Sequence, residues 1–337
     1  MIGFGVFAVV VTTATSVLFA LMPLLVARRV VLADAAGRGA RTSPSRTEAR
    51  GRAVLLVAQM ALTVVLIAGA GLFLKSYARL VRVPLGFEPA GVLAVRASLS
   101  GPRYESDAAI RAYAEAMLDA ARATPGVRDA SVASSSPLGS GPPVNFAVAD
   151  RPPPVAGSEP RAILRTVTAD YFRTMGIPIL RGRALTAADV AGAPRVVVVN
   201  ETLAKMMFDG EDPIGRELEL LPEARSPWTR RPGKVRVVGV AANIKELGLS
   251  EVEFAGMHVP FAQMPAPSIE LLARVDGPAA AKAETIRSLV AHVDPEIPVT
   301  RVTTFDERLE SAKAGDRFNT LLIVTFAGVA VLLAGIG

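Results

Sequence analysis

Cysteine is absent from the 337 residues, so no disulfide framework and no thiolate metal site can form. That absence is compatible with an oxidising compartment without proving one. Histidine occurs twice, at His258 and His292, without ligand-like spacing to carboxylates. A zinc centre or a histidine-based hydrolase therefore lacks its usual parts, and both histidines are expected in surface or helix-end positions. Aromatic residues make up 5% of the chain, with Trp228 the single tryptophan, and none lies in the most basic segment. A basic groove interleaved with aromatics is what nucleic-acid binding needs, so that class is excluded despite a formal charge of +6.

Charge itself is missing from three long runs. Residues 1 to 27, Ala53 to Leu74 and Phe318 to Gly337 carry none, and each reaches or approaches the roughly 20 residues that a helix needs to cross a bilayer. The hydrophobic share of 51% and mean hydropathy of +0.39 are concentrated in these runs. No positive residue precedes Arg28, which argues against a secretory signal peptide. The run from Ala53 is apolar on every face, with Gln59 its only strongly polar side chain, so lipid is its simplest surrounding.

What is present in excess is positive charge, and it is local. Seven arginines stand between Arg28 and Arg52 against Asp34 and Glu48, leaving the rest of the chain nearly neutral. Short arginine-rich loops stay in the cytoplasm, which sends the following helix outward and places residues 75 to 317 outside. Lys75, Arg79 and Arg82, near the outer end of that helix, oppose the assignment but are outnumbered. The segment from Ala35 to Arg52 reads as a flexible connector with no fold of its own.

The external part has an α+β pattern. Val92 to Leu99 alternates as a strand, Ser106 caps a helix bearing Ile110, Tyr113, Met117 and Ala121, Pro125-Gly126 ends it, and Val127 to Ala133 reads as the next strand. The same order returns at Ile269 to Val275, a helix with Ile286, Leu289, Val290 and Val293, and Pro298 to Thr303. These two units are expected to pair in a membrane-proximal lobe of residues 86–136 and 266–317, with 137–265 inserted as a distal lobe. Within the insertion, strands are expected at Arg161 to Val167, Arg195 to Val199 and Val235 to Val240. Short helices are expected at Ala169 to Met175 and Glu201 to Phe208, the latter capped by Asn200. The turn-rich stretches 137–160 and 222–233, including Trp228, read as exposed loops and candidate partner contacts. A last helix runs from Phe305 to about Lys313 and re-enters the membrane at Phe318.

No segment assembles a reaction. GAGLFLKS (69–76) has Leu74 where a phosphate-binding loop needs glycine, so Gly69 and Gly71 are assigned instead to close helix packing in the membrane. Ser134, Ser135 and Ser136 have no recognisable base beside them and G-x-S-x-G is missing. The carboxylates of GEDPIGRELEL (210–220) fit a turn leading into a strand better than an acid/base pair. No catalytic, metal-binding or cofactor-binding residue is expected.

QMALTVVLIAGAGLFLKSYARL (59–80), GFEPAGVLAVRASL (86–99), YFRTMGIPILRGRALTAAD (171–189), VVVVNETLAKMMF (196–208), GEDPIGREL (210–218), VVGVAANIKELGL (237–249) and DERLESAKAGDRFNTLLIVTFAGVAVLLAGIG (306–337) together resemble the MacB/FtsX-like permeases of ABC transporters, in particular the duplicated permease type of acidobacteria. The resemblance implies a porter-like lobe with an inserted distal lobe, an inner-membrane location with a large periplasmic domain, and helices that carry ATP-driven motion outward. It implies as partners an ABC ATPase subunit, the rest of the permease, a periplasmic protein or lipoprotein, and a second copy in a homodimer. The work would be efflux, lipoprotein handling or similar export, with no catalysis in this chain. Lys75, Tyr77, Leu80, Phe305, Asp306 and Leu309 would be the stalk residues that transmit the movement. A complete permease half in this family has four spans, so residues 1–27 resemble the last span of a preceding half, and the chain reads as a middle portion. A membrane-anchored binding module without ATP coupling, or a non-functional permease fragment, is the alternative.

Overall fold

The computed structural model describes residues 46–81, 83–139, 141–222, 232–246, 248–249 and 253–336. The expected first span and most of the basic linker lie outside these residues, as does Trp228. The first element, α1 (Arg46–Val81), is a single helix of 36 residues. It begins seven residues before the apolar run, so the connector is not free of structure up to Arg52. Ser45-Arg46-Thr47-Glu48 has the S-x-x-E spacing of a capping box, and the alanine and arginines that follow favour helix, a signal that the basic character of the segment obscures.

Beyond α1 the chain forms β1 (Val92–Ser98), α2 (Asp107–Arg122), β2 (Val127–Ala133), β3 (Pro143–Val148), β4 (Arg161–Val167) and α3 (Tyr171–Met175). Then follow β5 (Ile179–Gly182), β6 (Val196–Asn200), α4 (Glu201–Phe208), β7 (Glu217–Leu220), β8 (Gly233–Ala241) and β9 (Gly256–Pro260). The last elements are β10 (Ser268–Val275), α5 (Ala279–Val293), β11 (Val299–Thr304) and α6 (Phe305–Ile336). The chain divides into a unit of Ile67–Gly328 and a second that contains the N-terminal part of α1 and the C-terminal end of α6.

The two strand-helix-strand segments meet in one antiparallel array, β11-β1-β10-β2, the order of a split βαβ pair. Alternation along β1 and β10 sends Leu93, Val95, Ala97, Ile269, Leu271 and Ala273 to the face covered by α2 and α5. The Ser106 side chain accepts from the Ala109 amide and starts α2, whose buried Ile110, Tyr113, Met117 and Ala121 face that sheet. Burying each of the larger side chains contributes about 1.5 to 3 kcal/mol.

The intervening strands curl back on themselves. β4 pairs with β3, followed by β7, β8, β6 and β9, and β9 pairs again with β4, closing a ring. Its interior is filled by Phe146, Leu164, Val197, Val199, Leu218, Leu220, Val237 and Met257 among others. Asn200 caps α4 by accepting from the Leu203 amide, and its side-chain nitrogen donates to the Phe254 carbonyl. The GEDPIGREL segment forms a turn in which Asp212 accepts from the Ile214 amide before β7 begins.

β3, β5 and β9 are strands that the sequence pattern does not reveal, whereas β7 is the strand expected after the GEDPIG turn. β5 spans only four residues, and β3 lies in a stretch dominated by proline and glycine. The stretch 137–160 is correspondingly only in part an exposed loop: Pro137 is buried and 143–148 forms β3, whereas 151–153 and 155–158 are exposed.

Two described helices are long and apolar enough to cross a membrane, over Gln59–Arg79 and Phe305–Leu332. Their large apolar side chains, including Val64, Val65, Leu72, Phe318, Leu321 and Phe326, are exposed. α6 is continuous from the edge of the sheet into this apolar length, running on past Lys313, the expected end of the last helix. Thr304 and Glu307 start it as a reciprocal capping box: the Glu307 amide donates to Thr304 Oγ1 and the Thr304 amide to Glu307 Oε2, each at 3.0 Å.

Candidate functional site

The face of β1 and β10 opposite α2 and α5 carries charge where a sheet face under cover is usually apolar. Arg96 and Glu270 stand directly across from each other in the β1–β10 register. Arg96 Nη2 and Nε donate to Glu270 Oε1 at 2.6 and 2.9 Å. Glu270 is fully buried, and a second guanidinium reaches it from the first turn of α6: Arg308 approaches both carboxylate oxygens at 3.4 Å. Ser136 lies between them, donating its hydroxyl to Glu270 while accepting from Arg308. Arg308 also donates to Thr303 Oγ1 at 2.8 Å and stacks 5.2 Å from the centre of the Phe305 ring.

Two strands further, beyond β2, Arg165 of β4 makes the second half of the cluster. Its Nη2 donates to Glu246 Oε2 at 2.7 Å and its Nη1 to Oε1 at 3.3 Å, with both residues buried. Arg165 also donates to Ser135 Oγ at 3.3 Å and to the Ser136 carbonyl at 3.4 Å. Residues 134–136 therefore join two ion pairs, one in the β1–β10 array and one in the ring of strands. The backbone of this connector is bent: Leu138 has φ of +57°, uncommon for a side chain of its size, and its amide donates to the Lys245 carbonyl.

The chain leaving α1 is fastened to the same place. The Lys245 amide donates to the Leu85 carbonyl at 3.0 Å, next to Glu246. Gly86 has φ of +77°, and a Cβ there would collide with the Asn243 carbonyl, so glycine is required. Phe87 meets Phe305 edge to face at 5.7 Å. Arg274 of β10 donates to the carbonyls of Glu88, Ala90 and Thr174. The exit of one long helix and the start of the other thus converge on one buried ionic cluster.

Electrostatics favours keeping this cluster charged. Burial alone would raise the Glu270 pKa, but Arg308, the Ser136 hydrogen bond and Arg96 together hold it below its usual value. For Arg165 burial opposes the charged form, and Glu246 more than restores it, so its pKa is raised. A carboxylate so neutralised and enclosed is a poor general base, and Ser136 is buried with it, so the pair is a structural link and not a nucleophile with its activator. Among the described residues no group of three or more histidines and carboxylates is placed to hold a metal ion.

His258 belongs to this region and not to the surface or a helix end. It lies on β9 opposite Arg165 of β4 and packs against Tyr171 and Phe172 at 5.7 and 5.2 Å. Burial and then the Arg165 charge push its pKa down to about 3, while burial pushes the Tyr171 hydroxyl up to about 12. His292 does lie in the last turn of a helix, α5, with Nδ1 2.7 Å from the Ser288 carbonyl. A histidine with a depressed folded pKa stabilises the fold fully above its unfolded value of 6.5 and progressively less below it. Between pH 6.5 and about 4.5, where carboxylates begin to protonate, unfolding stability should fall by about 1.4 kcal/mol per pH unit on account of this group. Denaturant titrations of the full chain at pH 7.5, 6 and 5 should show that slope, and His258→Phe should remove it.

Of the stalk residues expected to transmit movement, Phe305 is fully buried in the cluster's apolar flank, Leu309 and Tyr77 are half-buried, and Lys75 and Asp306 are exposed. Leu80 lies in the last turn of α1. A Cβ added at Gly69 or Gly71 would meet nothing within 4 Å among the described residues. Sequence reasoning passed over Arg96, Arg165, Glu246, Glu270 and Arg308. The available signal was a charged residue inside an otherwise apolar strand, as in AILRTV and SIELLARV, and the T-x-x-E box before Arg308.

Residues 53–302 match the family described as the MacB-like periplasmic core domain. The chain belongs to that family. It is thereby a member of the MacB/FtsX-like permeases of ABC transporters, a periplasmic core domain accompanied by two helices able to cross a membrane. Among solved structures it is similar to the periplasmic region of MacB from Actinobacillus actinomycetemcomitans, with 14% identity and a TM-score of 0.45, covering 67% of this chain and 94% of that one. It is also similar to the extracellular domain of the noncanonic ABC-type transporter YknZ from Gram-positive bacteria, with 12% identity and a TM-score of 0.39, covering 60% and 91%. A domain of a putative permease from Porphyromonas gingivalis aligns with 15% identity and a TM-score of 0.38, covering 65% and 93%. Comparison with curated proteins returned no match.

Proposed function

We propose that this MacB-like permease transmits motion driven by cytoplasmic ATP hydrolysis to its periplasmic domain, for efflux, lipoprotein handling or similar export work. In this reading the chain is a multi-pass inner-membrane protein, works with an ABC ATPase subunit and the rest of the permease as a homodimer, and engages a periplasmic partner or lipoprotein. It carries out no catalysis and needs no cofactor of its own. Stalk residues Lys75, Tyr77, Leu80, Phe305, Asp306 and Leu309 lie along the path of the movement.

The observation that carries the reading is the shared anchorage. The segment leaving α1 and the first turn of α6 are both tied to the cluster formed by Arg96, Ser136, Glu270 and Arg308 on one side and Arg165 and Glu246 on the other. A stiff helix fixed at its end by a bidentate charge pair and a buried ring can displace the strands it is fixed to. Arg308 is the residue whose removal should separate the two processes. In the complete transporter, Arg308→Gln should leave ATP hydrolysis measurable while export falls at least ten-fold. Undiminished export by this variant would remove Arg308 from the transmission path.

A further inference from the structure

The arginines of the core domain are mostly paired, as in Arg122–Asp170, Arg173–Asp129, Arg181–Asp212 and Arg183–Asp189. Lys75 and Arg79 differ. Both are exposed, and neither has a hydrogen bond or ion pair with any side chain the structure describes. They are four residues apart on α1, so they project from one face of the helix. Their height follows from the sequence: Lys75 is the first charge after the uncharged run from Ala53 to Leu74, a helical length of about 33 Å, close to the thickness of a bilayer's hydrocarbon core. Both ammonium and guanidinium groups therefore fall at the level of the lipid headgroups on the domain side. On α6 the exposed Arg317 occupies the corresponding position, directly before the uncharged run from Phe318. Asp316 precedes it, so the weight falls on Lys75 and Arg79.

Cations at this end of the helix run against the charge bias that orients the span, which the arginines of 28–52 must overcome. A pair of unpaired cations held at phosphate depth, one turn apart, has an obvious counter-charge available. We propose that Lys75 and Arg79 bind the headgroup of an anionic phospholipid in the leaflet facing the core domain, with Arg317 adding to the attraction. The lipid would occupy the base of the stalk, where α1 leaves the membrane. This rests on the reading that residues 53–74 span the bilayer with the core domain outside.

The chain has no cysteine, so Ser76→Cys supplies a unique attachment point between the two cations. The full chain carrying Ser76→Cys, labelled with a fluorophore, would be reconstituted in phosphatidylcholine vesicles containing spin-labelled quenchers. The expected result is a preference for a phosphatidylglycerol quencher over a phosphatidylcholine quencher on the order of five-fold. In the Lys75→Gln/Arg79→Gln background that preference should fall to near one, and 10-fold excess free inorganic phosphate over the lipid should not abolish it in the parent. Equal quenching in the parent, an unchanged preference in the double variant, or displacement by free phosphate would each overturn the proposal. Reaction of unlabelled Ser76→Cys with a membrane-impermeant maleimide from the core-domain side tests the topology separately. Failure of that reaction overturns both readings, whereas reaction with no lipid preference overturns this one alone.

Discussion

Glu246→Gln should lower the unfolding free energy by about 3 to 5 kcal/mol, because it leaves the fully buried guanidinium of Arg165 without its counter-charge. Arg165→Met should cost a similar amount for the converse reason, because it leaves the Glu246 carboxylate buried and unpaired. The two losses should not add. With Arg165→Met and Glu246→Met combined, most of the stability should return, since an apolar pair of similar volume no longer carries a desolvated charge. Denaturant unfolding of the full chain in detergent, followed by circular dichroism, gives all three values in one double-mutant cycle. Equal and additive losses would mean that the pair acts through separate neighbours and does not hold the connector 134–136.

Phe305→Ala should cost about 3 to 5 kcal/mol as well, through a different mechanism. The ring is fully enclosed, meets Phe87 edge to face, and supports the Arg308 guanidinium on its own face. Deleting it opens a cavity and removes the surface that orients Arg308 toward Glu270. Amide hydrogen exchange should show the first turns of α6 losing protection together with residues 85–88, which are not adjacent to them in sequence. Phe305→Leu should restore much of the volume and less of the orientation, so protection should recover before export activity does. Loss of protection confined to α6 would indicate that the two helices are anchored independently.

These expectations concern residues that only folding brings together, and the contrast with what could be read directly is instructive. Ser106 and Asn200 are recognisable as caps because a cap is a local hydrogen bond, complete within four residues. The strands at 127–133 and 161–167 are recognisable because burial imposes a pattern on each strand by itself. The strand at 179–182 is too short to show any period and exists because its neighbour offers a ladder, whereas the equally short strand at 217–220 is announced only by the turn before it. His258 shows the same limit in another form: nothing in GMHVP distinguishes a histidine facing water from one enclosed beside an arginine of a parallel strand.

By itself the sequence determined the α+β character, the length and apolar composition that would let α1 and α6 cross a membrane, the two strand-helix-strand segments and the family, since each rests on composition, local periodicity or ordered motifs. Tertiary structure alone decided the closure of β3, β4, β6, β7, β8 and β9 into a ring, the burial of Ser134, Ser135 and Ser136, and the meeting of Arg96, Arg165, Glu246, Glu270 and Arg308. The reason is the range of the forces involved. A hydrophobic period or a cap is enforced by the nearest few residues, whereas a buried charge is tolerated only where a partner from a distant strand or helix arrives at hydrogen-bond distance.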